Sequence, residues 1–447
     1  MSFRISAVCA LWRDVALGTP KLWCHFAAKC CTWAIDPVKL FLERSRDVPL
    51  TLIVTSEESP DTDEVVRLLL AGSKRWCFID YHDIEDSKTR KLLRETPIET
   101  PSLRDAVCDA SREDSRVLLE QPFKRSNSLK TITVRYEWYT EILLKSLPLE
   151  NVRNLVVQHH VDCFADFLEI LRLCGKRLET ITYDSVPNMT HINEYYRSIH
   201  TVLGEDCPSP IECSATRLRI DVWNSRGIYG LVSDILRSLT LPRLTRLVVS
   251  GGCNMDKGFV GRWPGNVLDT FFARSECTLT SLRLVGMPLT PDELAAFLRH
   301  TPLLTQLYIA ELLAKGYMDL TPFDTIGNLV KTVDKSLITE LTIRPSSDGR
   351  SAGSSEERRP FLPKLESLKL YVHSHFDTDS EFVDMVESRW YEPYCRPDKW
   401  SPHVVPLREV TLSVLDRELD VSIYGPLVML ERKGMRLTVM GNKRHVL

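Results

Sequence analysis

A chain of 447 residues exceeds the size at which one hydrophobic core stops growing, so several domains or a repeat array is expected. Its 57 Lys and Arg against 60 Asp and Glu leave a net charge of −3, which argues against nucleic acid or a membrane surface as a general partner. With 43% hydrophobic and 26% charged residues the chain is not a disordered one, and 13 cysteines without a C-x-x-C pair fit neither a disulfide framework nor a zinc ribbon.

No apolar stretch reaches the roughly 20 residues needed to span a bilayer. Met1-Ser2-Phe3-Arg4 leads into an amphipathic segment and not into a signal-peptide core, so the chain is expected in the cytoplasm, the nucleus or both. The glycosylation pattern Asn188-Met189-Thr190 then has no modifying machinery to meet.

In chain order, residues 5–26 read ISAVCALWRDVALGTPKLWCHF, with Ile5, Val8, Cys9, Trp12, Val15 and Ala16 spaced as one face of a helix. Gly18 ends that helix, and Thr19 and Pro20 start a short second turn carrying Leu22 and Trp23. Residues 1–49 are thus read as helices and a linker, and residues 50–447 as a second, larger domain.

That second domain keeps returning to an apolar triplet, L-x-x-L-x-L, whose last three positions alternate as a strand does. Degenerate copies come first: Trp76, Ile79 and Tyr81; Leu103, Ala106 and Cys108; Leu129, Ile132 and Val134; Val152, Leu155 and Val157; Leu178, Ile181 and Tyr183; Ala215, Leu218 and Ile220. Clearer copies follow: Leu244, Leu247 and Val249; Leu279, Leu282 and Leu284; Leu304, Leu307 and Ile309; Ile338, Leu341 and Ile343; Leu365, Leu368 and Leu370; Leu407, Val410 and Leu412. The middle residues Ile79, Ala106, Ile132, Leu155 and Ile181 are 27, 26, 23 and 26 residues apart, whereas Leu247 to Leu282 takes 35 and Leu368 to Val410 takes 42. A period of 20–29 with insertions is that of leucine-rich repeats.

Between triplets the rhythm turns helical. Thr290, Pro291 and Glu293 make a capping box ahead of Leu294, Phe297 and Leu298, and a second helix is read from Asp379 to Trp390 over Phe382, Val383, Val386 and Trp390. Residues 345–360 read as a mobile insertion and 393–406 as a long loop. The expected fold is therefore α/β: a leucine-rich-repeat solenoid, with a curved parallel sheet inside and helices outside, behind a short N-terminal helical segment.

Val8, Cys9, Trp12, Arg13, Ala16, Thr19, Pro20, Leu22 and Trp23 follow the string V-C-x-x-W-R-x-x-A-x-x-T-P-x-L-W. With Leu40-Phe41-Leu42-Glu43-Arg44-Ser45, Pro49-Leu50, Met385 to Trp390 and Leu407-Arg408-Glu409-Val410, they give the chain a resemblance to fungal, basidiomycete-type F-box proteins with leucine-rich repeats. The resemblance implies a substrate-recognition subunit of a Skp-cullin-F-box ubiquitin ligase, docking on the Skp-family adaptor through Ile5, Val8, Trp12, Leu17, Pro20, Leu22 and Trp23 and binding a target protein through its repeats. The Leu-Pro-x-Glu helix that opens an F-box has no counterpart in these residues, so this chain is expected to dock more weakly than one extended by that helix. An alternative is a protein-binding scaffold with no ligase link.

If the x positions of the triplets line the inner curve, the target surface comprises Arg135, Arg217, Arg219, Arg246, Arg283, Tyr308, Arg344 and Lys369, diluted by Asp184, Asp221, Glu340 and Glu409. Such a face is either a solvated surface whose arginines pair with those acids, or a site for an acidic or phosphorylated segment of the target. Trp12 and Trp23 are either an adaptor-binding patch or core between the first helices and the first repeat. His373, His375 and Asp377, or His159, His160 and Cys163, are metal candidates that strand continuation explains at less cost; Cys24, His25, Cys30 and Cys31 fit no zinc spacing. Phosphate-cradling glycine loops, nucleophile elbows and H-E-x-x-H helices are absent from the sequence, so no enzyme, metal or cofactor is expected.

Overall fold

The structure, a computed structural model, describes residues 4, 6–30, 35–56, 62–84, 91–92, 95–96, 98–109, 126–136, 149–159, 164–185, 209–222, 228–251, 265–287, 289–311, 331–343, 360–390, 404–415, 417–442 and 444–445. Ile5, Cys31, His160, Cys163, Asn188-Met189-Thr190, Arg344 and nearly all of the stretches 345–360 and 393–406 lie outside them. The chain divides into two compact units, Met1–Val202 and Leu203–Leu447.

The first unit opens with helix α1 (Ala10–Gly18) and a 3-10 turn at Pro20–Leu22, followed by β1 (His25–Cys30), α2 (Ile35–Arg44), β2 (Leu50–Ser56) and α3 (Thr62–Ala71). It continues through β3 (Trp76–Ile84), β4 (Asp105–Asp109), β5 (Thr131–Tyr136), β6 (Asn154–His159), α4 (Phe164–Cys174) and β7 (Thr180–Ser185). Each strand pairs in parallel with the next, and the register places Phe26, Leu52, Ile79, Ala106, Ile132, Leu155 and Ile181 in one row. The middle residue of every triplet in this unit thus stacks on its neighbours. From Leu52 to Ile181 the row is buried, each larger side chain contributing about 1.5–3 kcal/mol on leaving water.

The second unit repeats the plan: β8 (Ile211–Glu212), β9 (Arg217–Val222), α5 (Ile228–Ser238), β10 (Leu239–Thr240), β11 (Arg246–Gly251), α6 (Gly265–Ser275), β12 (Ser281–Val285), α7 (Pro291–Arg299) and β13 (Gln306–Ala310). Then come α8 (Lys335–Leu341), β14 (Ser367–Val372), α9 (Asp379–Ser388), β15 (Glu409–Val414), α10 (Val421–Arg432), β16 (Arg436–Gly441) and the antiparallel β17 (Arg444–His445). Leu218, Leu247, Leu282, Leu307, Leu368, Val410 and Leu437 form one buried row across parallel strands β9 and β11 to β16. Both units are α/β solenoids of the leucine-rich-repeat kind.

A threonine after the first leucine of a triplet fixes this stacking. The Thr245, Thr280 and Thr305 hydroxyls each donate to the carbonyl of the equivalent residue one repeat earlier, Thr216, Thr245 and Thr280, at 3.0–3.1 Å. The same carbonyls also accept two backbone N–H groups from the following repeat, so entry to each strand is pinned before the leucines pack.

Some expectations need correction. Ile338, Leu341 and Ile343 are not a strand: Leu337, Ile338 and Leu341 are the buried face of α8, and β13 pairs directly with β14. Spacings of one, three and four also suit a helix, and the Asp334 carboxylate caps this one by accepting from the Leu337 N–H at 3.0 Å. The helix read to Trp390 stops at Ser388, leaving Trp390 half-buried beyond it. The sheet also begins earlier than its triplets, at β1 within the segment read as helices and linker, and continues past the last triplet through β16 to the short β17. The capping box of Thr290 and Glu293 is formed as expected.

Candidate functional site

Two surfaces carry the residues singled out in the sequence. On α1 and the turn just before it the apolar stripe Val8, Leu11, Trp12 and Val15 runs at intervals of three and four, and all four side chains are 45–70% exposed. Leu17 is also exposed, Pro20 and Leu22 are half-buried, and only Ala16 of the helix is buried. An amphipathic helix ordinarily turns such a stripe to the core. Here it turns to solvent.

Trp23 behaves differently. Its indole N–H donates to the Ala16 carbonyl at 2.7 Å, its ring meets Phe41 edge-on at 5.3 Å, and the Arg44 guanidinium lies 4.4 Å above it. Fully buried, it is the first large side chain of the repeat core, so of the two tryptophans only Trp12 is available to a partner. Leu11, the most exposed of the stripe, was not among the sequence candidates. Its spacing from Val8 and Val15 was the available signal.

The second surface is the open sheet face of the second unit. Arg217 and Arg246 are register partners on β9 and β11. One step along, Arg219, Val248, Arg283, Tyr308 and Lys369 fall in a single row on β9, β11, β12, β13 and β14. Alternating burial shows these side chains on the face opposite the leucines. Six predicted residues are thereby brought together.

Their pairings differ. Arg219 is bonded to Asp221, and Lys369 to Glu409 at 2.9 Å. Glu409 also accepts from the Ser367 hydroxyl at 2.8 Å and faces Arg436 at 4.0 Å, and the Lys369 bond is the main reason its carboxyl is held below the usual range. Among the described residues Arg217 and Arg246 have no carboxylate partner. The Arg283 guanidinium lies 4.1 Å above the Tyr308 ring, which is 5.1 Å from the ring of Tyr371. Burial pushes the Tyr308 phenol up, with Arg283 opposing, so it remains a neutral platform at physiological pH. Tyr371, two positions after Lys369, was missed by the sequence reading although period-two alternation places it on this face.

Arg135 belongs to the first unit, where it is committed: it donates to Asp80 at 3.1 Å and to Gln158 at 2.9 Å, and Gln158 donates to Asp184 at 3.3 Å. Glu340, expected near the basic face, instead bonds Arg299 of α7 at 2.8 Å. His373 is buried beyond the end of β14 and His375 is exposed; no group of three potential metal ligands forms among the described residues. No described helix is long and apolar enough to cross a membrane. No family model matches the chain, and no curated protein is significantly similar to it.

Proposed function

We propose that this chain is an F-box-like substrate-recognition subunit of a Skp-cullin-F-box ubiquitin ligase in the cytoplasm, the nucleus or both, with no catalytic step of its own. The observation that carries the reading is the solvent-facing stripe of α1. A large apolar stripe left in water on a helix whose neighbour Trp23 is anchored in the repeat core is a surface built for a second protein. It coincides with the part of the sequence that resembles an F-box, and its partner on this reading is the Skp-family adaptor. The open sheet face of the second unit then binds the target.

The test is capture of recombinant Skp adaptor and cullin by the purified chain and by a Leu11→Glu/Trp12→Glu variant. Wild type is expected to retain the adaptor and the variant to lose it with an unchanged unfolding midpoint. Adding the Leu-Pro-x-Glu helix should tighten the titration, since a further helix buries apolar area worth about 25 cal/mol per Å² before ordering costs. Equal retention by wild type and variant would remove the adaptor reading.

A second reading, a protein-binding scaffold with no ligase link, is favoured by the same sheet face, whose in-register arginines do not depend on α1. Wild type that captures no adaptor yet binds an anionic peptide would select it.

A further inference from the structure

We infer that Arg217, Arg219, Arg246 and Arg283 together form a receptor for a single phosphorylated residue in the target segment. The inference rests on the reading of this sheet face as the target surface and names what that surface takes.

Val248 is the centre of the arrangement. Arg219 and Arg283 are its register partners on the two flanking strands, Arg246 lies two residues earlier on its own strand, and Arg217 is the register partner of Arg246. Strands about 4.8 Å apart put the backbones of all four arginines within two strand steps of this half-buried valine, so a ligand seated over it is within reach of four long side chains. Among the described face residues from β9 to β13, Asp221 is the one carboxylate against these four cations.

The chemistry of the ligand follows from that imbalance. One carboxylate brings a single charge and is satisfied by one guanidinium fork, which leaves Arg217 or Arg246 beside a like charge without relief. A phosphate monoester brings about −1.5 to −2 charges and three acceptor oxygens, enough to bridge two forks. Arg283 is already laid against Tyr308, so less of its freedom is lost on binding, and Tyr371 extends the aromatic surface for an apolar residue beside the phosphorylated one. The basic region is also short. At its far side Lys369 and Arg436 face Glu409, and at its near side Arg219 meets Asp221, so a long polyanion such as RNA would run onto carboxylates.

The experiment uses the full chain and three fluorescent peptide libraries of one design, with a fixed central phosphoserine, glutamate or serine. The phosphoserine library should bind at least about tenfold tighter than the glutamate library, and more weakly as salt is raised. Arg217→Gln/Arg246→Gln should lose that binding, whereas the charge-matched Arg432→Gln/Lys433→Gln, at the exposed C-terminal end of α10, should keep it. If the glutamine pair fails to fold, Arg217→Lys/Arg246→Lys preserves charge but removes the forks, and should lose the preference for phosphoserine over glutamate. Equal affinity for the phosphoserine and glutamate libraries, undiminished binding by the arginine variants, or tighter binding of single-stranded RNA would each overturn the inference. Adaptor capture through Trp12 is read separately, so loss of one activity with the other intact tells which proposal failed.

Discussion

The guanidinium of Arg389 donates to the carbonyl of Leu341, 48 residues earlier, at 2.5 Å. It also donates to the carbonyls of Leu362 and Phe361 at 3.1 and 2.6 Å, and it is completely buried. Leu341 ends α8, so the cation sits at the negative end of that helix. A similar relation recurs where Arg274, near the end of α6, donates to the Leu236 carbonyl in the last turn of α5 and to that of Leu239 just beyond it, and where Arg75, after α3, donates to the Leu42 carbonyl in the last turn of α2 and to that of Val48 in the following loop. An arginine from one repeat thus bonds the helix end of the one before it, which adds a link on the helix side to the strand pairing and threonine bonds between neighbours.

Arg389→Met is therefore expected to destabilise the second unit by about 3 kcal/mol or more, because two buried carbonyls and a half-buried one lose their donor. Burial without a carboxylate lowers the Arg389 pKa to about 10, so the group is still charged at neutral pH and Arg389→Lys should recover only part of the loss. Urea unfolding monitored by circular dichroism measures both. A methionine variant within about 0.5 kcal/mol of wild type would show that the clamp is idle.

The two tryptophans of the N-terminal segment should separate stability from binding. Trp23→Ala removes a buried ring, a hydrogen bond to Ala16 and the platform under Arg44, and is expected to cost about 3–5 kcal/mol. Trp12→Ala, on the solvent side of α1, should change stability by less than about 0.5 kcal/mol. Thermal scans of both variants decide this, and equal losses would mean that Trp12 is also core.

The rows of leucines were legible in the sequence because strand pairing leaves a period-two trace that insertions between strands do not erase. Leu247, Leu282, Leu307 and Leu368 fall on one row despite steps of 35, 25 and 61 residues. Where the trace is shared by another element, as at Ile338 and Leu341, spacing alone could not separate strand from helix, and the Asp334 cap was the deciding signal. Strand β16 escaped notice because Gly434, at φ 102°, and Met435 stand where its triplet would begin with leucine. The arginine clamps were illegible: a buried Arg389 and a solvated Arg408 look alike until the carbonyls facing them are placed. The basic face was readable as a list of residues, but not the pairing that singles out Arg217 and Arg246.

Glu311, just after β13, ties three segments together: one oxygen accepts from the Thr332 and Val333 N–H groups and the other from His373, all at 3.0 Å. Burial raises its pKa above the ordinary carboxyl value of 4.5, against the pull of those three N–H groups and Lys331. Since the folded state holds the proton more tightly, its contribution to stability is fully present below pH 4.5 and is lost as pH rises through the raised value. Glu311→Gln removes that titration and sets an amide N–H against the His373 N–H, at a cost of about 1–3 kcal/mol. Urea titrations at several pH values should find the gap between wild type and Glu311→Gln widest in acid and narrower near neutrality; a gap that grows with pH would reverse the assignment.

Asp221 is both the neighbour that holds Arg219 and a competitor for any anion arriving at the basic face. Its side chain is mostly buried and that of Arg219 mostly exposed, so the pair contributes little to folding, and the main effect of the carboxylate is to withdraw one cation from the surface. Asp221→Asn keeps the shape, removes a negative charge and releases Arg219 from this ion pair. Binding of the phosphoserine library should then tighten by about threefold to tenfold, with the greatest gain at low salt. The gain should vanish in an Arg219→Gln/Asp221→Asn double variant, because the released cation would be missing. If Asp221→Asn instead weakened binding, Asp221 would be a positioning residue that aims Arg219. If the double variant gained as much as the single one, Arg219 would lie outside the receptor and the site would shrink to Arg217, Arg246 and Arg283.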